Sequence, residues 1–503
     1  MRGTRSTRRF ITVAGVGGLV LAAVIAGLPV TPGQAPARAA RARSTAPGTP
    51  RSPIKHIVFI AKENRSFDTY FGAMPDPGDN VNQSTTASCY DPQNPSNVTT
   101  FTMGTAPDPM PQDVSHANST FYQAFHKGAM DGFCHEKGAI VKSTGRDIAD
   151  TQMQAGDIPN YWSYARHYGI GDNMFASWRG ASFANNVFAV ASQTGRYDTS
   201  IGRRAIFGNP QDPVGGLHTW GCTNSAGTTV SMMDLNGGLS DMFPCFGFPS
   251  MPNLLDDAGL SWRYYSDQNG SHFVHSGIAA IRSIRCAQGD TPPCTRDNPY
   301  WDRHVVDAPN LLTDAAAGSL PSVAWYLPKE TEHPPRTACA GENATVKAVN
   351  AIMRGPQWRS TAIVVWWDEW GGFYDHVPPP TADGTNGGVT GLNSLISYGF
   401  RVPLLVISPW VNNGPLRAGG YASHVFYSHA SLARFIEWAF NLPTLGAADD
   451  LSTYTASEPK PGNLRDFFDF SGSPPKTKLI LPTRTCPKLS PAQKTMAATE
   501  PDD

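Results

Sequence analysis

Apolar residues in this chain come in short unbroken runs, and many of those runs stop on a pair of polar side chains. Thr361 to Trp367 (TAIVVWW) is β-branched and aromatic throughout, which reads as a strand buried on both faces. Ile54 to Ala61, Leu260 to Tyr265, Ser322 to Leu327 and residues 400–407 have the same character. Elsewhere the spacing is helical. Pro159 to Tyr168 carries Tyr161, Tyr164, Ala165 and Tyr168. Residues 177–195 (SWRGASFANNVFAVASQTG) turn from a loop into an apolar segment expected to be a helix. Ser428 to Asn441 places Leu432, Phe435, Ile436, Ala439 and Phe440 on one stripe at i, i+3, i+4, i+7 and i+8. Strands alternating with helices predict an α/β layered sandwich: a largely parallel central sheet flanked by helices. No internal repeat is visible.

The pattern also divides the chain. In residues 1–40, Arg8 and Arg9 precede an apolar run from about Val13 to Val30, followed by Ala-rich cleavage options. This reads as an export signal, and the arginine pair hints at the twin-arginine route. The run is also nearly long enough to stay as an anchor. Residues 41–52 read as a linker, 53–453 as the main domain with insertions near 74–115 and 196–320, and 454–503 as a Pro-rich tail expected to wrap the surface. The 48 Gly and 43 Pro require much loop.

Net charge changes the picture once the signal is set aside. Residues 1–40 hold five Arg and no acid, so the rest carries 35 basic against 41 acidic residues, a net charge of −6. Such a balance gives no electrostatic reason to bind nucleic acid. Eight cysteines in an exported chain imply disulfides, with Cys286 and Cys294, flanking GDTPP, the expected local bridge.

Chemistry collects at the element ends. Glu63-Asn64 follows the first strand, Ser182 and Asn185 open a helix, and Glu332-His333 follows another strand. Asp368-Glu369 ends the run at 361–367, with Gly371 and Gly372 expected to turn Asp375-His376 back toward that pair. His116 with Asn118, and His424 with His429, are further candidates. Each has an ordinary explanation: Asn64 or Ser182 as a helix cap, His333 as a loop histidine before two prolines, His429 as packing. Their shared location at element ends favours a site, because ligands bind outside the carboxyl ends of parallel strands. Glu63, Asn64, Asp368 and Glu369 offer oxygen, which suits one hard divalent ion (Mg, Ca or Mn) better than zinc. A serine hydroxyl beside such an ion becomes a usable nucleophile, and histidines hold phosphate oxygens and protonate a leaving group.

Several segments are similar to a known family. IKHIVFIAKENRSFDTYFG near the start, GAMDGF at 128–133, DNMFASWRGASFANNVF at 172–188, EHP at 332–334, WWDEWGGFYDHV at 366–377 and YSHASLARFIEW at 427–438 run in order over about 380 residues. Together they resemble the bacterial phosphoesterase family of phospholipases C and a secreted acid phosphatase, within the alkaline phosphatase-like superfamily. The resemblance implies Glu63, Asn64, Ser182, Asp368 and Glu369 as metal ligands and Ser182 as nucleophile. It implies His116, His333 and His376 as phosphate-binding and proton-donating groups, with Asp375 orienting His376. Two departures stand out. Many phospholipase C members have threonine where this chain has Ser182, and the family often shows Pro-Asn-Arg where this chain has Ala184-Asn185-Asn186. The expectation is a secreted metal-dependent phosphoesterase acting on a phosphomonoester or a phospholipid head-group diester, without stable membrane insertion. A binding protein on a degenerate scaffold is the competing expectation, and its signature would be a missing ligand or nucleophile.

Overall fold

The computed structural model describes residues 46–75, 81–180, 182–195, 199–202, 204–211, 221–234, 236–266, 276–295, 298–380, 398–445, 461–471 and 475–499. The expected export signal therefore lies outside the described residues. No helix among them is long and apolar enough to cross a membrane.

Eight strands form the central sheet. In chain order they are β1 (His56–Lys62), β2 (Gly169–Gly171), β3 (Trp262–Tyr265), β4 (Val305–Val306), β5 (Val323–Tyr326), β6 (Thr361–Trp367), β7 (Leu404–Ile407) and β8 (Tyr421–Ser423). Their spatial order is β4-β3-β5-β1-β6-β7-β2-β8. All neighbours pair in parallel except β7, which is antiparallel to both β6 and β2. The architecture is thus the mixed α/β layer with a mostly parallel sheet that the runs predict. Every residue of β6 and of β5 is buried, as strands covered on both faces must be.

Helices flank this sheet: α1 (Phe67–Phe71), α2 (Asn118–Phe125), α3 (Pro159–His167), α4 (Ser182–Ala191), α5 (Ala338–Arg354) and α6 (Ala430–Phe440). The α6 stripe is as read: Leu432, Phe435, Ile436, Ala439 and Phe440 are all buried. The sequence reading names no helix at the 17-residue α5, although Val346, Val349, Ile352 and Met353 form a buried face along it. Inside the 74–115 excursion, Thr86–Asp91 and Asn94–Thr102 pair as a hairpin. Within 196–250, Ala205–Ile206, Val230–Met233 and Leu239–Met242 make a small antiparallel sheet.

Four disulfides are present: Cys286–Cys294, as expected, with Cys89–Cys134, Cys222–Cys245 and Cys339–Cys486. The last fastens the C-terminal segment to α5. Along the same segment, Asn350 and Asn343 donate to the carbonyls of Leu481 and Arg484, and Arg484 pairs with buried Glu342 at 3.0 Å.

Candidate active site

Lys62 and Trp367 are register partners in the parallel pair β1–β6. The residues after them, Glu63-Asn64 and Asp368-Glu369, therefore leave the sheet side by side at its carboxyl edge. Asp368 Oδ1 accepts from the Asn64 backbone N–H at 3.1 Å and from the Glu369 N–H at 2.8 Å. Asn64 does not cap a helix. Ser66 caps α1, its Oγ accepting from the Thr69 N–H. Asn64 instead takes a left-handed conformation (φ 58°), a strained state for a non-glycine residue that concentrates at functional sites.

The glycine pair explains how the loops approach so closely. A Cβ on Gly371 (φ 66°) would lie 2.4 Å from the Asn64 carbonyl oxygen, and one on Gly372 (φ 75°) would lie 2.4 Å from Val114. Both positions need the left-handed region and an absent side chain. Gly372 in this way admits the loop that carries His116.

His116 is fully buried. Its Nδ1 donates to the Val114 carbonyl at 2.9 Å, and its Nε2 meets the Asn64 amide at 3.2 Å. His333, also buried, donates Nδ1–H to the Pro334 carbonyl at 2.7 Å, and the two rings meet edge to face at 5.7 Å. In each ring the backbone bond fixes the proton on Nδ1 and leaves Nε2 basic. Asp113 joins them, with ligand atoms of Asp113, His116 and His333 within 4.8 Å of one another. Sequence reading missed Asp113, although it lies three residues before His116.

Glu369 is the most perturbed acid here. Burial pushes it up to about 8, against the pull of His116 and with the repulsion of Asp368. Its Oε2 accepts from the Gly371 N–H at 2.7 Å, while Oε1 has no hydrogen-bond partner among the described residues.

Ser182 begins α4. Its Oγ is fully buried and makes no hydrogen bond among the described residues, so it is not serving as a helix cap. The loop before it is held from three sides. Asn185 Oδ1 accepts from the Trp178 N–H, and its Nδ2 donates to the carbonyls of Trp178 and Gly180. Asn118 donates to the Arg179 carbonyl at 2.8 Å. His429 exchanges backbone and side-chain bonds with Ser177, and its Nε2 donates to the Trp367 carbonyl at 3.0 Å. His429 thus links the Ser182 loop to the strand end that carries Asp368. Burial holds its ring neutral, with a pKa lowered to about 4. Asn186, where the family often has arginine, donates to the Ser182 carbonyl.

His376 and Asp375 form a group with Asp68, their ligand atoms lying within 4.8 Å of one another. The His376 ring bonds Asp68 Oδ2 at 2.6 Å and Asn82 Oδ1 at 2.9 Å. Asp375 accepts from Arg401 Nε at 3.1 and 3.2 Å, and Arg401 bridges to Asp68 at 3.0 Å. A buried guanidinium must be compensated, and these two carboxylates do it. His424 is half exposed and bonds Asp172 at 2.8 Å. Asp68 and Arg401 were legible in principle: one lies in the ENRSFD motif and the other is the lone charge in the run 400–407.

Glu63, Asp368 and Glu369 put three buried carboxylates at one strand edge. Asn64 Oδ1, Glu369 Oε1 and Ser182 Oγ are buried oxygens without a hydrogen-bond partner among the described residues. That donor chemistry, all oxygen and mostly anionic, fits a hard divalent cation.

Residues 54–443 match the model of the Phosphoesterase family. The chain belongs to that family. Among its relatives, the non-hemolytic phospholipase C of Pseudomonas aeruginosa is 27% identical over 427 residues, covering 77% of this chain but only 54% of that enzyme. Phospholipase C A of Mycobacterium tuberculosis is 26% identical, covering 78% of this chain and 73% of the relative. Non-specific phospholipase C6 of Arabidopsis thaliana is 24% identical, covering 90% and 78%. A solved protein of the alkaline phosphatase superfamily from Vibrio parahaemolyticus aligns over 56% of this chain and 60% of its own at 10% identity, with a TM-score of 0.28. That likeness is too slight to add to the fold description.

Proposed function

We propose that this family member is an exported, metal-dependent hydrolase of phosphoric esters that works through Ser182. The observation that carries the reading is the pair of buried, unbonded oxygens on Asn64 and Glu369, at an edge already crowded with carboxylates, together with the buried, unbonded hydroxyl of Ser182, whose preceding loop His429 ties to the end of β6. Relatives named phospholipase C support the reaction class. Export is supported by the arginine pair and apolar run in residues 1–40, and by four disulfides.

In this reading Glu63, Asn64, Ser182, Asp368 and Glu369 hold one divalent ion (Mg, Ca or Mn). When bound, it would lower the pKa of the serine hydroxyl and offset charge on phosphate oxygens. Ser182 Oγ, its proton released to solvent, attacks phosphorus in line, forming the Ser–O–P bond as the bond to the leaving oxygen breaks. His116 and His333 face the phosphoryl oxygens, and one of them, protonated on Nε2, gives its proton to the leaving alkoxide. Water then hydrolyses the phosphoseryl ester, its oxygen going to phosphorus and a proton to Ser182 Oγ, which releases inorganic phosphate from a monoester substrate or a phosphomonoester from a diester. Most of the acceleration comes from placing these groups in advance. Asp375 and His376 act as scaffold, through Arg401 and Asp68. The substrate is a phosphomonoester or a phospholipid head-group diester.

The test is hydrolysis of p-nitrophenyl phosphate and p-nitrophenylphosphorylcholine by purified wild-type and Ser182→Ala protein, with and without EDTA. Ser182→Ala is expected to lose roughly 10³-fold or more in kcat, and chelation to abolish turnover reversibly. Full turnover by Ser182→Ala overturns the covalent role.

A further inference from the structure

Among the described residues, Arg179 lacks the carboxylate partner that Arg401 and Arg484 have, and unlike buried Arg65, whose Nη1 donates to the Asn64 carbonyl, no hydrogen bond from its guanidinium is seen. Its side chain is 1% exposed, yet Nε and Nη1 make no hydrogen bond. Arg401 is answered by Asp68 and Asp375, and partly buried Arg484 by Glu342. Arg179 has two aromatic faces instead: its guanidinium carbon sits 4.9 Å from the Tyr122 ring and 5.4 Å from that of Trp178. Burial lowers its pKa to about 10, which leaves it cationic at neutral pH.

Energetically this arrangement is unfinished. Burying an unpaired ion is costly, and a cation–π contact offsets only part of that cost. A planar guanidinium fork is completed by a bidentate oxyanion. The position says which one. Arg179 precedes Ser182 by three residues, a chain reach of at most about 11 Å. Its carbonyl is held by Asn118, which opens α2 two residues after His116. The Arg179 backbone therefore joins the segment that enters Ser182 to the start of α2, two residues beyond His116, and its guanidinium lies against Tyr122 of that helix.

We propose that Arg179 reads the charge of the substrate: its guanidinium receives the second negative charge of a phosphate monoester, so the site prefers monoesters to phosphodiesters bearing a cationic head group. The inference rests on the hydrolase reading of the same site. A monoester near neutral pH carries close to two charges on three terminal oxygens, whereas a diester carries one charge on two. A quaternary ammonium head group would add a second cation near one that already lacks a counter-ion, and like charges repel strongly where water is excluded.

The experiment compares wild type, Arg179→Met and Arg179→Lys on p-nitrophenyl phosphate and p-nitrophenylphosphorylcholine, with inorganic phosphate binding measured by calorimetry. Wild type is expected to favour the monoester. Arg179→Met should lose roughly 10- to 100-fold in kcat/KM on the monoester, the weight of hydrogen bonds to a charged group, and a similar factor in phosphate affinity. Its loss in kcat/KM on the choline ester should be clearly smaller than its loss on the monoester. Arg179→Lys should fall between the two, because it keeps the charge and loses the fork. It supplies the comparison if the Met variant does not fold. Equal losses on both esters, or unchanged phosphate affinity, overturn the assignment and leave Arg179 a packing residue. If wild type hydrolyses neither ester, the hydrolase reading fails, and phosphate affinity alone then decides whether Arg179 binds an oxyanion.

Discussion

Lys62 Nζ lies 3.1 Å from Glu332 Oε1, and both side chains are fully buried. Glu332 also accepts from Tyr161 Oη at 2.5 Å, Tyr70 Oη at 2.7 Å and Trp367 Nε1 at 3.3 Å, and Lys62 donates to the carbonyls of Glu330 and Gly341. Lys62 directly precedes Glu63, and Glu332 directly precedes His333. The pair therefore fastens the strand end that presents one proposed ligand to the loop that presents a proposed proton donor. Glu332 pays for this with a φ of 88°. Removing one member of a buried, hydrogen-bonded pair strands the other charge, at a cost of about 3–5 kcal/mol. Lys62→Met and Glu332→Leu should each lose about that much in urea unfolding, and the double variant clearly less than the sum. Additive losses would show that the two do not act as a pair.

The turn after Asp368-Glu369 yields a second expectation. Gly371→Ala places a Cβ 2.4 Å from the Asn64 carbonyl oxygen at a φ of 66°. Gly289 has a φ of 93° and open space around its missing Cβ, so Gly289→Ala bears backbone strain without collision. The Gly289 variant is expected to lose about 1–2 kcal/mol and keep full activity. Gly371→Ala should lose more stability, and phosphatase activity should drop because Asn64 must move. Wild-type kcat/KM in Gly371→Ala would show that the close approach to Asn64 does not matter for the site.

What was legible in the chain follows from what its runs encode. Thr361–Trp367 is a strand with both faces buried, so composition alone marks it, and the acids beyond it inherit a definite place. Gly169–Gly171 has three residues and two glycines, so no periodicity can reveal it, yet it sits between β7 and β8. The reversed direction of β7 was equally hidden, since an apolar run has no sense of direction. At the site, Glu63, Asn64, Asp368 and Glu369 could be placed together because adjacent parallel strands end in register. The partner of His376 could not, because Asp68 lies more than 300 positions away and Asp375 is next door.

Acid should weaken this protein through His429. Above the ordinary histidine pKa the ring is neutral in folded and unfolded chains alike, so it contributes no pH dependence. Below it the unfolded chain takes up a proton that the buried ring refuses until about pH 4. Stability is therefore lost as pH falls through that window, by about 3 kcal/mol in total. His376 has the opposite sign. Burial disfavours its charge, but the Asp68 bond and charge outweigh that and raise its pKa, so its contribution is present in acid and lost as pH rises through the folded value. Urea unfolding of wild type and His429→Gln between pH 7.5 and 4.5 isolates the first effect. The stability difference should shrink or reverse as pH drops, and a constant difference would mean the ring titrates normally.

The bridge between Cys339 and Cys486 spans 147 residues. Closing so long a loop restricts the unfolded chain strongly, and removing a native bridge of this kind costs about 2–5 kcal/mol. The folded state has its own stake, because Cys486 lies among the contacts that seat the C-terminal segment on α5, including Arg484 on Glu342. Burial pushes Glu342 up to about 7, and losing the Arg484 guanidinium would push it higher. Cys339→Ser/Cys486→Ser should therefore unfold at lower urea concentration than wild type. Limited proteolysis should cut it first near residues 475–490, while Cys286→Ser/Cys294→Ser, opening a loop of only 8 residues, should lose less. Equal losses from the two pairs would argue against both the loop-length account and the anchoring role of the Cys486 segment.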